Sequence, residues 1–397
     1  MENQAHDSVV IVSAVRTPIG AFMGSLSGQP AAKLGAHAIK KALETINLKP
    51  DSVDEVIMGQ VLQAGAGQAP ARQAMIYAGI PHSARALTIN KVCGSGLKAV
   101  MLGADAIALG HSAVVVAGGQ ENMSLAPHLL ENSRAGYKMG EVKMADALMK
   151  DGLQDPYSGL AMGNISELCA KQYQFTREAQ DEYATESYKK AIKAQSSGHF
   201  VKEIAPYTYD DRRGPVTVSV DETPTAMKLD AISSLRPAFE KTGTITAANA
   251  SKINDGASAL VLMSESKAKL LGVKPLAKIV AQASFAQDPN WFTTAPTGAI
   301  KAVLKKANLN LSDIDLFEIN EAFALVTMVA MKDLNISKDR VNVYGGAVAL
   351  GHPIGASGAR VLTTLVHALH STHQKKGLAT LCIGGGEAVA VIIEKIQ

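Results

Sequence analysis

Leu48-Lys49-Pro50-Asp51-Ser52-Val53-Asp54-Glu55-Val56-Ile57-Met58-Gly59 recurs in the second half of the chain as Leu309-Asn310-Leu311-Ser312-Asp313-Ile314-Asp315-Leu316-Phe317-Glu318-Ile319-Asn320. Each copy is a leucine-led polar turn, an aspartate and then an apolar strand. Two further pairs follow in the same order. Gly94-Ser95-Gly96 before an apolar helix matches Ala356-Ser357-Gly358 before another, and Ala113 to Gly119 matches Thr380 to Gly386. Chance likeness of α/β units explains one such match; three at nearly equal offsets read as a duplication. Two similar βαβ units would pack together. The ends of corresponding strands would then converge at their boundary, where ligand sites form.

Around these anchors, strands alternate with helices. Strand patterns cover Ser8 to Ala14, Val53 to Val61, Leu87 to Val92 and Ala113 to Ala117, the last stopped by Gly118-Gly119. Helical spacing covers Ala31 to Ile46, Ala69 to Ala78 and Leu97 to Ala108. The alternation predicts a layered α/β fold with mainly parallel pairing. From about Met123 to Ser251 the chain turns more polar and is broken by Pro206, Pro215, Pro224 and Pro237. This reads as an insertion, a lid or ligand-clamping subdomain, whose clearest helix is Thr176 to Ser196 with Thr176 as its cap. Strand pattern returns at Ala257 to Met263.

With 397 residues, 47% hydrophobic and 19% charged, the chain suits a globular enzyme rather than a disordered one. A net charge of +3 without a basic block argues against nucleic acid. Three cysteines, Cys93, Cys169 and Cys382, have neither zinc-ligand spacing nor an even count for disulfides, which predicts a reducing compartment and no metal. The strand pattern begins almost at once and no apolar run is long enough for a membrane span, so a cytoplasmic location is expected.

Cys93 lies in Asn90-Lys91-Val92-Cys93-Gly94-Ser95-Gly96, on a turn before a helix. Free N–H groups and the helix dipole there favour thiolate, which would make it a nucleophile; the bland reading is a small buried cysteine. The matching turn, Gly351-His352-Pro353-Ile354-Gly355-Ala356-Ser357-Gly358, offers His352 as a base. Cys382-Ile383-Gly384-Gly385-Gly386 places a second thiol at a strand end beside glycines whose N–H groups can face negative charge. In Asn320-Glu321-Ala322-Phe323, Asn320 can hold a water or a carbonyl oxygen and Glu321 can orient a neighbour; an ordinary helix start is the plain alternative. Cys169, on a helical pattern, reads as packing.

These four blocks, in this order, resemble the signature blocks of the thiolase family, and the resemblance spans the whole chain. It implies an α/β thiolase fold: two duplicated βαβαβαββ domains in α-β-α-β-α layers with an inserted loop domain. The corresponding divisions are residues 1–122 completed by 254–275, then 123–253, then 276–397. Within the family the match is nearest to members that join two acetyl-CoA into acetoacetyl-CoA and CoA, reversibly. By that resemblance Cys93 carries the acetyl group, His352 takes its proton and Cys382 takes the C2 proton of the second acetyl-CoA. His352 and a water on Asn320 would face the enolate oxygen. The N–H groups of Cys93 and Gly384 would face the tetrahedral intermediate.

The resemblance also assigns Leu153, Met162, Phe239, Ala247 and Ser251 to the coenzyme A cleft, lines the pocket with Ala322 and Phe323, and places Phe292 against the acyl group. It implies CoA thioesters as substrates, no permanently bound cofactor, a homotetramer built as a dimer of dimers, and no nucleic-acid or membrane partner. Three positions depart from the pattern. Ala161 stands where many members have histidine, Lys228 is the nearest substitute for a basic residue near Pro224, and Phe292 stands where a methionine is common in short-chain members, followed by Thr293 rather than the proline of members that have phenylalanine there. Phe292 opens the prospect of 2-methyl-branched substrates. The alternatives are a longer-chain 3-ketoacyl-CoA thiolase, a β-ketoacyl synthase, against which Cys382 and the insertion speak, and a non-catalytic CoA-binding protein.

Overall fold

The computed structural model describes residues 7–212 and 214–396; the outer ends of the first and last expected domains lie outside them. The first half runs β1 (Val9–Arg16), α1 (Ala31–Thr45), β2 (Glu55–Gly59), α2 (Pro70–Tyr77), β3 (Arg85–Ile89), α3 (Ser95–Ala108), β4 (Val114–Asn122) and, after the insertion, β5 (Asn254–Ser264). The insertion holds α4 (Met162–Tyr173), α5 (Arg177–Ser196) and a hairpin of Tyr207–Asp211 with Gly214–Val218. Thr176 caps α5, its hydroxyl accepting from the Ala179 N–H. The second half runs β6 (Ala277–Ala286), α6 (Ala295–Ala307), β7 (Leu316–Ile319), α7 (Ala324–Leu334), α8 (Ile354–Ser371), β8 (Lys376–Ile383) and β9 (Glu387–Lys395).

The pairing repeats as the sequence repeat predicts. In the first half β3, β2 and β4 are parallel, and β5 and β1 add antiparallel. In the second half β7 and β8 are parallel, and β9 and β6 add antiparallel. The counterpart of β3 is reduced to a bridge between Val341 and Phe317. The likeness extends to single atoms. Asn47 and Asn308 both end a helix in the left-handed region. The Asp54 carboxylate accepts from the N–H groups of Ala113 and Val114, and the Asp315 carboxylate from those of Lys375 and Lys376. Each aspartate thereby sets the start of the neighbouring parallel strand.

Five layers result. α1 and α2 share one core with the outer face of the first sheet, and α6 shares another with the outer face of the second. α3 and α8 pack on each other between the sheets within the largest apolar cluster. The two half-sheets join edge to edge where Val10 pairs with Lys278 and Ile11 with Ala277.

Two expectations need correcting. Pairing is mixed rather than mainly parallel: β1, β5, β6 and β9 pair antiparallel, because β8 turns straight back into β9 and β5 returns from the insertion against β4. Gly118 and Gly119 do not stop β4, which continues to Asn122. A Cβ on Gly118 would lie 2.0 Å from the Ser258 carbonyl oxygen of β5, and one on Gly119 would lie 2.1 Å from the Gly355 carbonyl oxygen of α8. The glycines mark close backbone approach inside the sheet, not a turn.

Candidate active site

The turns at the ends of β3, β7 and β8 and at the start of α8 meet where the two halves join. Val92 is held at φ +44, a strained state for a β-branched residue. Ser95 fixes it: its hydroxyl donates to the Val92 carbonyl at 2.7 Å and accepts from the Lys91 N–H at 2.8 Å. Lys91 pairs with Glu387 at the start of β9, tying this turn to the one carrying Gly384. A Cβ on Gly94 would overlap the Ile383 side chain at 2.4 Å, so the Cys93 turn and the end of β8 are in direct contact.

Cys93 is half-buried. Burial pushes its thiol up to about 11, Glu121 adds to the rise, and the N–H groups of Gly384 and of Cys93 itself oppose it. Desolvation outweighs these N–H groups, so the turn alone does not hold a resting thiolate, and the Cys93 proton has to be taken by a base. The same two N–H groups that oppose the shift converge on the sulfur, as an oxyanion site on an acylated Cys93 would require. Cys382 is buried, and its thiol is raised well above the ordinary range, by burial first and by Cys93 second.

His352 is buried at the α8 entrance. Its Nδ1 lies 2.5 Å from the Ser357 Oγ, and Ser357 donates its one proton to the Pro353 carbonyl at 2.8 Å. Ser357 must therefore accept from His352, which puts the ring proton on Nδ1 and the lone pair on Nε2. Nε2 has no partner among the described residues. Burial, with the Arg360 charge behind it, pushes the imidazole down to about 3, so it rests neutral. The His352 N–H donates to the Asn254 side chain at 3.0 Å, and Gly351, at φ +111, leaves room for it: a Cβ there would lie 2.4 Å from Asn254 Cγ.

Asn320 is fully buried, and neither atom of its amide has a partner among the described residues. An orphaned amide of that kind needs a water or a ligand oxygen. Its neighbour Glu321 accepts from Tyr183, Ser187, Asn342 and the Val348 N–H, at 2.7 to 3.1 Å, and so pins α5 to the second half.

His352 opens onto an apolar cleft of about 590 Å³ between the insertion and the core, whose lining residues do not include Cys93, Cys382, Asn320 or Gly384. Leu153, Met162, Phe239, Ala247, Ser251 and Phe323 line it, with His352 and Ile354 at its floor and Ala161 on its wall. A Cβ on Gly384 would stand 3.6 Å from Met162 Cε and 3.8 Å from Val92 Cγ1, which puts the Gly384 turn against the cleft residue Met162 on one side and the Cys93 turn on the other. Phe292 and Ala322 are not on the cleft wall. They are buried with Phe323 in the apolar cluster that also holds Cys382. Lys228 is exposed and outside the lining. Cys169 is buried in α4, as packing requires.

Two charged residues escaped the sequence reading. Glu121 is buried, accepts from the N–H groups of Val61, Leu62 and Gly355, and is pushed up to about 7 by burial. It joins the two halves beside Cys93; the signal was a glutamate within the polar end, Gln120-Glu121-Asn122, of a strand that begins apolar. Lys252 lines the cleft. Among the described residues no cluster of three metal-ligating side chains occurs, and no helix is long and apolar enough to cross a membrane.

Comparison with known proteins accords with this architecture. Residues 9–266 match the family described as "Thiolase, N-terminal domain" and residues 273–395 the one described as "Thiolase, C-terminal domain". The chain is 54% identical over 389 residues to an acetyl-CoA acetyltransferase of Cupriavidus necator, covering 98% of this chain and 99% of that one. The crystal structure of the Bacillus anthracis acetyl-CoA acetyltransferase superposes with a TM-score of 0.97 at 42% identity, covering 99% of this chain and 100% of that one. The Acat5 thiolase from Ascaris suum, solved in complex with coenzyme A, superposes with a TM-score of 0.93 at 44% identity over 98% of this chain and 100% of that one. The chain belongs to the thiolase family.

Proposed function

We propose that the protein is an acyltransferase that joins two acetyl-CoA into acetoacetyl-CoA and CoA, and cleaves acetoacetyl-CoA in reverse, through an acetyl-Cys93 intermediate. The observation that carries this reading is a pair of neighbouring thiols, Cys93 half-buried and Cys382 buried, together with a His352 Nε2 and an Asn320 amide that have no partner among the described residues, and an apolar cleft that His352 lines. The names of the similar proteins favour acetyl transfer over the longer-chain alternative.

The protonation states allow a balanced cycle. His352 Nε2 takes the Cys93 proton as the sulfur attacks the acetyl carbonyl, and the oxyanion sits on the N–H groups of Cys93 and Gly384. CoA leaves as a thiolate and takes the proton of Cys382. The Cys382 thiolate then removes a C2 proton from the second acetyl-CoA. The enolate oxygen is met by the Nε2–H of the imidazolium and by a water on Asn320. Attack on acetyl-Cys93 forms the C–C bond and expels the Cys93 thiolate, which recovers its proton from His352. The enzyme ends as it began, two thiols and a neutral imidazole.

The insertion, residues 123–253, serves here as the CoA-binding domain between two core domains, 1–122 with 254–275, and 276–397. The substrates need no resident cofactor. Leu125, Leu130, Met139 and Met144 expose apolar surface on the insertion, and Leu87 does so on the edge strand β3. Both fit a homotetramer, a dimer of dimers, acting in the cytoplasm without nucleic-acid or membrane partners.

The test is labelled acetyl-CoA with the wild type, Cys93→Ala and Cys382→Ala. Wild type and Cys382→Ala should carry label on Cys93, Cys93→Ala none, and only the wild type should form acetoacetyl-CoA. A chain that binds CoA but takes no label is not this enzyme, and a malonyl-dependent rate exceeding the acetyl-CoA-dependent one would make it a synthase.

A further inference from the structure

Lys252 is the unusual charge of the cleft. It follows a stretch of small residues, Ala247-Ala248-Asn249-Ala250-Ser251, and its Nζ turns back to donate to the carbonyls of Ala247 and Ala250. The ammonium lies over the Tyr188 ring, 5.5 Å from its centroid. No carboxylate pairs with it among the described residues, and burial pushes the amine down to about 8. A half-buried lysine without a counter-ion loses part of its solvation; the two carbonyls and the ring offset that loss. The Tyr188 hydroxyl, buried, has no partner among the described residues.

The stretch it clasps is the cleft wall. Ala247, Ala250 and Ser251 all line the cleft. On the far side this stretch is hydrogen-bonded to the core: Ser251 N–H donates to Ala322 O at 2.9 Å and Ala324 N–H donates to Asn249 O at 2.8 Å. Among the described residues the carbonyls of Ala247 and Ala250 have no hydrogen-bond donor except Lys252.

We propose that Lys252 is a positioning residue, a tethered cation that holds the 247–251 wall in the shape that receives the thioester's CoA chain. This rests on the CoA-thioester reading above. With the ammonium gone, two carbonyls converge without a donor, the wall loosens, and each binding event must order it again. The chemistry at Cys93 is not touched. The cost therefore falls on binding, not on turnover.

Two variants of the full-length enzyme test this. Lys252→Ala vacates the ammonium's place; Lys252→Met fills it with a neutral chain of similar length. In both, KM for the CoA thioester should rise about tenfold, the size of one lost charge-assisted contact, with kcat within about twofold of wild type. Ammonium or methylammonium ions, compared with sodium at constant ionic strength, should lower KM again in Lys252→Ala but not in Lys252→Met or the wild type. Thermal melts show whether each variant is folded. An unchanged KM, a fall in kcat alone, or a raised KM in Lys252→Ala that ammonium does not relieve would overturn the proposal. Failure of the underlying reading shows separately, as a wild type that never acetylates Cys93; CoA affinity of the same variants by calorimetry still reports on Lys252.

Discussion

The imidazole Nδ1 of His352 stands 2.5 Å from the Ser357 hydroxyl, whose single proton is committed to the Pro353 carbonyl 2.8 Å away. One serine thereby decides which ring nitrogen faces the cleft as a base. Ser357→Ala leaves the imidazole free to place its proton on either nitrogen. The rate of Cys93 acetylation, measured in a single turnover with labelled acetyl-CoA, should fall on the order of tenfold, against a loss of about 10²–10⁴ for His352→Ala. An acetylation rate in Ser357→Ala equal to wild type would show that the tautomer is set elsewhere.

Cys93 should behave as a reluctant thiol in the free enzyme. Its alkylation by iodoacetamide should climb about tenfold per pH unit and level off only near the raised value of about 11. Because the Glu121 carboxylate contributes to that rise, Glu121→Gln should move the midpoint down. The same variant loses one of the acceptors that bind the Val61, Leu62 and Gly355 N–H groups, so its stability should also drop by about 1–3 kcal/mol. A midpoint in wild type near the free-cysteine value would mean that the helix N-terminus prevails after all.

The joint between the halves is a backbone contact, and adding one methyl should open it. A Cβ on Gly119 would sit 2.1 Å from the Gly355 carbonyl oxygen and 2.8 Å from Ala356 Cα, both backbone atoms of α8 that cannot swing away. Gly119→Ala should destabilise the fold by about 1–3 kcal/mol or more in denaturant titration. Gly28→Ala, where a Cβ meets nothing within 4 Å, should stay within about 0.5 kcal/mol.

That contact also shows what was legible in the sequence. The duplicated halves were legible because each keeps its own local signals: the polar turn before Asp54 and Asp315, and the small residues before α3 and α8. Three of the chemical turns were legible because glycine clusters beside Cys93, His352 and Cys382 are uncommon where ordinary packing rules; the Asn320 turn has no such cluster and stood out only in company with them. The course of β4 was not, because Gly118 and Gly119 read as a stop until Ser258 and Gly355 are seen against them. The resting state of Cys93 was not legible either: a helix N-terminus is local and readable, whereas desolvation depends on what folds over the turn. Lys252 carries no motif at all, since its partners are carbonyls, which every residue has.

Phe292 should govern how long an acyl chain the site accepts. It is buried, meets Phe323 edge-on with centroids 6.4 Å apart, and packs in the same apolar cluster as Cys382. Two rings standing there close the space beyond a short acyl group. Thiolysis rates should therefore fall with chain length from acetoacetyl-CoA upward. A 2-methyl group adds width beside Cys382 rather than length, so 2-methylacetoacetyl-CoA should still be cleaved. Phe292→Ala should shift kcat/KM toward longer 3-ketoacyl-CoA by about tenfold relative to acetoacetyl-CoA, the usual worth of one or two methylenes in an apolar pocket. A flat wild-type series, or an unchanged ratio in Phe292→Ala, would place the length limit on another wall of the pocket, and no detectable cleavage of the branched thioester would mean that these rings exclude width as well as length.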